Sequence, residues 1–303
     1  MKLRVYKILQ ALFIAITTFI FFLLYLSTKP KRDNNSSYFP KEQFLTIAHR
    51  GGLGLKPENT MLAFENADSL GADVLEMDVH ISKDGKLVVI HDDTVDRTTN
   101  KTGYVANMNF DQLRKLDAAY NWKNKQGQFE YRNQQIRIPK LSEILARFGN
   151  KKLLIEIKPD SIAVAQKLCA ELMRYDMQEK TMVGSFHSKP LNYFSDQCKT
   201  TPTSASSLQV GSFLFLHYLR IGNLYPNPPS AFQVPEHLGS FLLVDKRFIE
   251  QVQNLKSLVH IWTVNEPSTM QNLIELNVNG IITDYPNRLK NILNKRNKAL
   301  KNE

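Results

Sequence analysis

The stretch KLLIEIKPDSIAVAQKLCAEL (152–172) contains the two patterns from which the fold can be predicted. Its first six residues are mostly apolar and are typical of a short buried β-strand. Further along, apolar residues recur at the spacing of one helix face, at Ile162, Ala165, Cys169 and Leu172. The stretch therefore predicts one strand followed by one helix.

The same alternation of strand and helix patterns continues through the rest of the chain from Phe44. Further strand candidates lie at 44–49, 73–79, 86–91, 180–186, 258–264 and 280–284, with weaker candidates at 201–206 and 241–245. Strands that alternate with helices indicate a parallel sheet covered by helices. Roughly eight strands in about 250 residues favour closure into a TIM-type (β/α)8 barrel, which we place at 44–293.

Two segments depart from a simple strand–helix repeat. Residues 76–81 and 86–91 flank the turn SKDGK (82–86), so they predict a hairpin extension of the sheet. Residues 92–138 are polar and poorly periodic, which predicts an insertion on the rim of the barrel. The loops on this rim are where such barrels carry their chemistry.

The N-terminal segment ILQALFIAITTFIFFLLYLS (8–27) is uncharged over twenty residues. A helix of this length spans about 30 Å, the thickness of the hydrocarbon core of a bilayer. We expect an uncleaved, single-pass signal anchor within 1–32 and a linker at 33–43, with a cleaved signal peptide as the alternative. Three basic residues on each flank leave the orientation open, and the free amino terminus favours an extracytoplasmic body.

The positive charge of the chain is concentrated at its ends. The net charge is +10; residues 1–32 hold six basic and no acidic side chains, and residues 285–303 hold six basic and one acidic. The body between them is nearly neutral, so we expect no nucleic-acid partner. Basic ends suit an anionic membrane surface, although the tail 294–303 is equally compatible with plain solvation. The sequence does not decide the oligomeric state.

The cysteine content is too low for a metal site built from paired cysteines. Cys169 and Cys198 are the two cysteines of the chain. They could form one disulfide bond in an exported domain, but we expect two separate buried thiols.

Several predicted strands end in ionisable residues, which is unusual for a buried parallel sheet. These residues are His49, Arg50, Glu76, Asp78, His91, Glu156 and Lys158. Glu76 and Asp78 are two residues apart, so their side chains point to the same side of one strand. Because the carboxyl ends of barrel strands converge at one mouth, we expect the whole set to form one site.

The residue types at this mouth favour one kind of chemistry. Three carboxylates without a thiolate, those of Glu76, Asp78 and Glu156, predict a hard divalent cation, Mg²⁺ or Ca²⁺. Two histidines can exchange protons near neutral pH. Arg50 and Lys158 can neutralise a bound anion. A cation, cationic side chains and a proton-exchanging pair are what phosphodiester cleavage requires.

A series of motifs runs through the chain in a defined order: AHRGG (48–52), PENT (57–60), LEMDVHISKDGKLVVIHD (75–92), IEIK (155–158), WTVN (262–265) and GIITDYP (280–286). Together they resemble the motifs of the glycerophosphodiester phosphodiesterase family. The resemblance covers nearly all of 44–293. It implies a TIM-type barrel, a divalent cation, and hydrolysis of glycerophosphodiesters to glycerol 3-phosphate and an alcohol.

The resemblance also implies a role for each matching position. The implied catalytic pair is His49 and His91. The implied metal ligands are Glu76, Asp78 and Glu156. The implied substrate contacts are Arg50, Lys158 and Trp262. One histidine would deprotonate the nucleophile and the other would protonate the leaving alkoxide; the nucleophile is either the glycerol hydroxyl of the substrate or a water molecule at the cation.

The long apolar stretch 207–238 leaves the substrate class open. It resembles a segment of membrane-anchored family members that accept lysophospholipids, and it predicts either an interfacial loop that admits an acyl chain or an ordinary barrel helix. The alternative activity is therefore that of a lysophospholipase D, which releases lysophosphatidic acid. A further alternative is an anchored barrel that binds phospholipid head groups without catalysis.

Other polar residues are predicted to have structural roles. We expect Asn59 to cap a helix, Glu58 to order the mouth, and Asp284 to orient a neighbour without binding metal. Trp262 is compatible with core packing as well as with a substrate wall. The histidines outside the motif positions are expected to be structural or at the surface: His80, His187, His217, His237 and His260.

Overall fold

The computed structural model describes residues 44–302 continuously, together with eight upstream residues: Tyr6, Lys7, Gln10, Phe13, Ile14, Thr17, Thr18 and Tyr38. Most of the predicted membrane span at 8–27 and most of the predicted linker at 33–43 therefore lie outside the described residues. Among the residues that are described, no helix combines the length and the apolar character needed to cross a bilayer.

Strands and helices alternate along this chain, as the sequence predicts. The strands are β1 (Leu45–Ala48), β2 (Val74–Ile81), β3 (Leu87–Val89), β4 (Lys152–Ile157), β5 (Thr181–Gly184), β6 (Ala231–Pro235), β7 (His237–Leu238), β8 (Phe241–Leu242), β9 (Leu258–Trp262) and β10 (Gly280–Thr283). The α-helices are α1 (Met61–Ser69), α2 (Phe110–Leu113), α3 (Leu141–Arg147), α4 (Ile162–Arg174), α5 (Ser188–Gln197), α6 (Ser207–Tyr218), α7 (Lys246–Asn254), α8 (Pro267–Glu275) and α9 (Pro286–Asn302).

The strands form a closed parallel barrel. Seven of them are hydrogen-bonded in the order β5-β4-β2-β1-β10-β9-β6. The eighth position is filled by Thr203 and Ser204, which make parallel bridges to Val183 of β5 and Ala231 of β6. These bridges close the sheet, and the prediction of an α/β barrel is confirmed.

The interior of the barrel is packed at the end where the strands begin. Leu45, Ile47 and Val74 point inwards and belong to one buried apolar cluster. Tyr38 is fully buried in the same cluster, and its ring lies 5.8 Å from Nζ of Lys152 at the start of β4. This packing fills one end of the barrel and leaves the polar residues at the other.

The layer between the sheet and the helices holds the strands in orientation. Leu75 and Met77 of β2 are buried in this layer with Phe64 of α1. Full burial of such side chains contributes about 1.5–3 kcal/mol each. Because successive side chains alternate between the two faces of a strand, Glu76 and Asp78 must then face the barrel interior.

Helix α1 begins behind a threonine cap. The hydroxyl of Thr60 accepts a hydrogen bond from the N–H of Ala63 at 3.2 Å. The prediction that Asn59 caps this helix is wrong: its backbone is left-handed, with φ of 57°, and its side chain binds Asp78 inside the barrel. Since Thr60 takes the capping position, the amide of Asn59 is available to the site.

The predicted hairpin forms as expected. Strand β3 pairs antiparallel to β2, with Val79 opposite Val89. The insertion at 92–138 that follows has a small apolar cluster of its own, which includes Val95, Phe110 and Leu113. This segment is therefore folded and can present side chains to the barrel in a defined position.

The stretch 207–238 contains two elements that the sequence analysis did not separate. Its first part is helix α6, which buries Phe213 and Leu216 against the barrel and exposes Leu208 and Phe215. Its last part contains β6, a barrel strand that was missed because the polar Gln233 falls at its centre. The expectation of a helix that packs on the barrel is confirmed, and this helix also has an exposed apolar face.

The weaker strand candidate at 241–245 is wrong as a barrel strand. Phe241 and Leu242 form β8, which pairs antiparallel with β7 in a separate two-stranded hairpin. Both residues are exposed. Their apolar character therefore does not reflect burial in the barrel core.

The two cysteines form a disulfide bond, so the expectation of two separate thiols is wrong. Cys169 lies on α4 and Cys198 directly follows α5, with their Cα atoms 5.9 Å apart. The bond depends on the side-by-side packing of α4 and α5. Residue spacing does not determine that packing, which is why the sequence left the pairing open.

Candidate active site at the barrel mouth

Three carboxylates meet inside the barrel at the carboxyl end of its strands. Asp78 of β2 lies opposite Glu156 of β4 in the sheet register, and Glu76 lies two residues before Asp78. One ligand oxygen from each residue lies within 4.8 Å of the others. Glu76 and Asp78 are buried, whereas Glu156 is half-buried. Three oxygen donors at this spacing could hold a divalent cation.

Burial and mutual repulsion make two of these carboxylates, Glu76 and Glu156, harder to ionise. Burial, followed by the charge of Asp78, raises the pKa of Glu76 to about 8. The same two causes raise the pKa of Glu156. Buried carboxylates are costly unless a cation or a hydrogen-bonding partner balances them. The three residues therefore fit a divalent cation by their donor type and spacing, and the raised pKa values of Glu76 and Glu156 show that more positive charge would stabilise their ionised forms.

Arg50 connects the first strand to the carboxylate cluster. Its backbone N–H donates to Oε2 of Glu76 at 2.6 Å. Its guanidinium donates to Oε1 of Glu58 at 2.9 Å, and its Nε lies 3.3 Å from Oδ2 of Asp78. The guanidinium is thus held at the cluster by two carboxylates, where it can also meet an anionic ligand.

The turn that carries Arg50 depends on glycine. Arg50 has φ of 49° and the following Gly51 has φ of 79°. A Cβ atom on Gly51 would lie 2.8 Å from Cβ of Ala63 in α1. The chain passes so close to α1 that a side chain does not fit, which gives the AHRGG motif a steric reason.

Asn59 holds the most buried carboxylate in place. Its Nδ2 donates to Oδ2 of Asp78 at 2.9 Å, and its Oδ1 accepts from the N–H of Asp78 at 3.3 Å. This reciprocal pair fixes both the backbone and the side chain of Asp78. Asn59 therefore positions a predicted metal ligand.

His91 carries its proton on the nitrogen that faces away from the lysine. Its Nδ1 donates to Oδ1 of Asp92 at 2.6 Å, and its Nε2 lies 3.1 Å from Nζ of Lys158. Lys158 also donates to Oε1 of Glu156 at 2.9 Å. Because an ammonium group only donates, Nε2 of His91 is the acceptor and the imidazole is neutral. Burial lowers the pKa of His91, in agreement with a neutral ring.

His49 is held by a carboxylate on the opposite side of the mouth. Its Nδ1 donates to Oδ1 of Asp284 at 2.6 Å, and Nδ2 of Asn265 donates to the other oxygen of Asp284 at 2.6 Å. Burial alone would lower the pKa of His49. The hydrogen bond to Asp284 and the charge of Glu76 outweigh burial and leave this pKa raised. His49 thus favours the protonated form, in contrast to His91.

Arg97 ties the insertion to the mouth. Its Nη1 and Nη2 donate to the two oxygens of Glu58 at 2.7 and 2.8 Å, and its Nε donates to Oδ2 of Asp92 at 2.6 Å. Burial raises the pKa of Asp92, but the hydrogen bonds from Arg97 and His91 outweigh it and lower this pKa to about 2. Asp92 is therefore ionised when it accepts the proton of His91.

All eight site residues predicted from the sequence line one cavity of about 190 Å³. They are His49, Arg50, Glu76, Asp78, His91, Glu156, Lys158 and Trp262. The Trp262 ring meets the ring of Phe186 edge to face, with centroids 6.0 Å apart. The cavity thus has a charged wall and an aromatic wall.

The model of the glycerophosphoryl diester phosphodiesterase family matches residues 49–288. The chain belongs to this family. Members named glycerophosphodiester phosphodiesterases are phosphoric diester hydrolases, so the protein is an enzyme of that class. The matched range contains every residue that lines the charged wall of the cavity.

Similar proteins cover most of the chain. A glycerophosphodiester phosphodiesterase of Caldanaerobacter subterraneus subsp. tengcongensis is 35% identical over 259 residues, which are 83% of this chain and 98% of the relative. Human lysophospholipase D GDPD1 is 28% identical over 280 residues, 84% of this chain and 88% of the relative. The structure of an Oleispira antarctica phosphodiesterase in complex with the product sn-glycerol-3-phosphate has a TM-score of 0.65 at 24% identity, with 82% of this chain and 96% of that chain covered.

Sequence reasoning missed three residues that shape the site of this family member. Asp92 and Asn265 lie within family motifs: Asp92 follows His91, and Asn265 ends WTVN. Their positions in these motifs could have identified them as site residues. Arg97 lies in the polar insertion, where nothing in the sequence separates it from its neighbours. Asp284 orients His49, in agreement with the prediction that it orients a neighbour.

The other histidines do not line this cavity in the part of the chain that the structure describes. His80 contacts the backbone of the site, because its Nε2 lies 3.0 Å from the carbonyl oxygen of His91. His217 and His260 are buried elsewhere, and His187 and His237 are exposed. This distribution agrees with structural or surface roles for all of them.

Proposed function

We propose that this protein hydrolyses glycerophosphodiesters to glycerol 3-phosphate and an alcohol. The observation that carries the proposal is the single cavity lined by two histidines, three carboxylates and two cationic side chains. Membership of the family and the names of its relatives support the same substrate class. The Oleispira relative, which was solved with sn-glycerol-3-phosphate, supports the identity of the product.

The charged wall would bind the phosphodiester. Arg50 and Lys158 would donate hydrogen bonds to the non-bridging phosphoryl oxygens, since both reach into the cavity with free donor capacity. Glu76, Asp78 and Glu156 would hold Mg²⁺ or Ca²⁺, which when bound would offset the negative charge that develops on the phosphoryl group.

The two histidines would move the protons. His91 is neutral, and its Nε2, which accepts from Lys158 in the structure, would be free to deprotonate the attacking hydroxyl once Lys158 donates to the phosphoryl oxygens instead. Attack by water would give glycerol 3-phosphate directly. Attack by the substrate's glycerol hydroxyl would give a cyclic phosphate, which water would then open to glycerol 3-phosphate. His49 has a raised pKa and is assigned to protonate the leaving alkoxide. Asp92 and Asp284 would keep the two rings oriented by accepting from Nδ1.

Product analysis of the purified full chain tests this function. Glycerophosphocholine and glycerophosphoethanolamine are supplied with Mg²⁺ or Ca²⁺, and the products are followed by ³¹P NMR. We expect glycerol 3-phosphate and the free alcohol, loss of turnover on adding EDTA, and recovery with excess cation. Tight head-group binding without turnover of any diester would instead identify the non-catalytic alternative.

A second candidate activity, that of a lysophospholipase D, is favoured by one specific observation. The cavity is bordered by Phe186, which is half exposed, and helix α6 begins two residues after the lining residue Ala205 with further exposed apolar side chains. Apolar side chains at the edge of the cavity can pack against the acyl chain of a lysophospholipid. The human relative bears the name lysophospholipase D. Comparing kcat/KM for lysophosphatidylcholine and glycerophosphocholine decides between the two substrates.

We also propose that the catalytic barrel is tethered to a membrane and lies on its extracytoplasmic side. The apolar segment 8–27 supports the tether. The disulfide bond between Cys169 and Cys198 supports the side, because such bonds persist in oxidising compartments. Protease added to intact cells should digest the barrel while leaving a cytoplasmic marker intact; protection of the barrel would place it on the other side.

A further inference from the structure

Exposed apolar side chains are concentrated on two elements that follow barrel strands at the mouth. On helix α6 and the residue after it they are Leu208, Phe215, Tyr218 and Leu219, and on the β7–β8 hairpin they are Leu238, Phe241 and Leu242. We call these seven side chains the apolar rim. Leu208 and Phe241 are the extremes, with 71% and 72% of their surface exposed. Large exposed apolar groups of this kind mark surfaces that bind something.

The apolar rim is joined to the walls of the active-site cavity. Ala205 lines the cavity two residues before α6 begins. Gln233 of β6 also lines it, and the β7–β8 hairpin starts two residues after β6 ends. Both elements therefore leave the barrel from positions at its mouth, because they follow the carboxyl ends of parallel strands.

Helix α6 is apolar on both of its faces. Phe213 and Leu216 are buried against the barrel, while Leu208, Phe215 and Leu219 recur at spacings of seven and four residues along the opposite face. A helix that is apolar all round is typical of one that is covered on every side, in a protein core or at a membrane. The barrel covers one face of α6 and leaves the other for a ligand.

The charges around the apolar rim favour a phospholipid surface over a protein partner. Residues 200–235 contain no Asp or Glu, and their one charged residue is Arg220, which is exposed just after α6. The hairpin has no charged residue between Glu236 and Asp245. The seven side chains of the rim include no carboxylate that would repel lipid phosphates; Glu236 and Asp245 lie where the chain enters and leaves the hairpin, and Glu236 is 3.5 Å from His237. The exposed arginine at the border of the rim can bind lipid phosphates.

We propose that the apolar rim inserts into the head-group region of a phospholipid bilayer and places the cavity mouth against membrane-borne substrate. The inference deepens the proposed function. A diesterase docked in this way would act on single-chain phospholipids, whose phosphodiester lies at the level of the head groups. The exposed side chains would then be the first contact of the substrate's acyl chain on its way to Phe186 and Trp262.

The proposed tether is long enough for this docking. Tyr38 is buried at the closed end of the barrel, and the predicted span ends at residue 27. The ten residues between them, 28–37, reach at most about 36 Å when extended. This length exceeds the ~10–12 Å diameter of the surrounding helices. The barrel can therefore lie on its side, with α6 and the hairpin against the same membrane.

A depth measurement on the full chain tests the docking without using activity. Ser240 at the hairpin tip is replaced by cysteine, labelled with the fluorophore NBD, and the protein is reconstituted into phosphatidylcholine vesicles with phosphatidylglycerol. The matched control is Ser69→Cys, an exposed position at the end of α1. We expect lipids that carry a nitroxide on the acyl chain to quench the label at 240 and not at 69. Equal quenching at both positions, or at neither, would overturn the proposal.

An activity comparison tests the consequence for substrate choice. The double variant Phe215→Gln/Phe241→Gln removes two exposed rings without touching the core, and Met173→Gln removes an exposed apolar side chain on α4 as the control. We expect the double variant to lose about tenfold in turnover of lysophosphatidylcholine presented in vesicles and to keep its rate on soluble glycerophosphocholine. Met173→Gln should change neither rate.

Three other results of these experiments would lead to different conclusions. An equal loss on both substrates would show that the two rings support the cavity and not a membrane contact. A concentration-dependent dimer in detergent that the double variant abolishes would assign the apolar rim to a second copy of the chain. Quenching at 240 in a protein that cleaves neither substrate would keep the docking and reject the proposed function.

Discussion

Nε2 of His91 and Nζ of Lys158 lie 3.1 Å apart, and the same ammonium group is hydrogen-bonded to Glu156. One lysine thus links the proposed proton acceptor to the carboxylate cluster. The contact requires a neutral imidazole, because a second positive charge at this distance would repel the first. The assignment of His91 as the proton acceptor, and of His49 as the proton donor, depends on this contact.

Replacing His91 by alanine should remove activity without removing the fold. We expect turnover of glycerophosphocholine to fall by about 10²–10⁴-fold, the usual contribution of a positioned acid or base. Steady-state kinetics and circular dichroism measure the two effects. His187→Ala is the control, since His187 is exposed outside the cavity and its loss should leave the rate unchanged. Near-normal turnover by His91→Ala would refute the assigned role.

The variant Asp284→Asn should shift the pH dependence of the enzyme. Asparagine can still accept the hydrogen bond from His49, but it lacks the charge that raises the pKa of this histidine. If His49 acts as the proton donor, the active form is lost as the pH rises through that pKa. The alkaline limb of kcat/KM should therefore move to lower pH. A shift of the acid limb instead would exchange the roles of the two histidines.

Without a cation, the carboxylate cluster should make stability depend on pH. The folded-state pKa of Glu76 is about 8 and lies above its ordinary value. The folded protein thus holds this proton more tightly than the unfolded chain does, and stability falls as the pH rises towards 8. We expect the Tm in EDTA to be lower at pH 8 than at pH 5. Saturating Mg²⁺ or Ca²⁺ should raise the Tm at pH 8.

Two variants test whether the pH dependence of the Tm arises from the carboxylate cluster. Glu76→Gln should reduce both the pH dependence in EDTA and the Tm gain on adding cation, because one charge has been removed from the cluster. Glu275→Gln is the matched control at an exposed position on α8 and should change neither. Scanning calorimetry and titration calorimetry with each cation measure the two quantities. If Glu76→Gln binds the cation as tightly as the wild type, Glu76 is not a metal ligand.

The disulfide bond should stabilise the pair of helices that it joins. Cys169 and Cys198 are separated by 29 residues. Closing a loop of this size contributes about 3–4 kcal/mol through the unfolded chain. Cys169→Ala/Cys198→Ala should therefore lower the free energy of unfolding by that order in urea titrations. A reductant should destabilise the wild type to a similar degree and leave the double variant unaffected, and a wild type that is indifferent to reduction would contradict the role.

The part of the site that could be predicted from the sequence is the part carried by strand periodicity. Glu76 and Asp78 share one face of β2, and Glu156 and Lys158 are related in the same way at the end of β4. In a barrel these faces point inwards, so strand ends that carry ionisable residues are enough to assemble the cluster. The motif spacing supplied the histidines.

The contacts that orient those residues could not be predicted in the same way. Asn59 looked like a helix cap because it precedes α1, yet Thr60 takes that role and leaves the amide to Asp78. Arg97 reaches Glu58 from a segment with no periodic pattern. Hydrogen bonds between side chains far apart in sequence depend on distances of tenths of an ångström, which residue types do not encode.

Local periodicity and spacing are properties of the chain, so they were enough to predict the alternation of strands and helices, the family motifs and the residue types at the barrel mouth. Three features became visible only in the folded chain: the weak strand candidate at 201–206 closes the barrel with β6 through residues 203–204, Cys169 meets Cys198, and α6 keeps one apolar face outside. Each of these depends on which elements pack side by side. That choice is made by the summed burial of the whole core and not by any one segment.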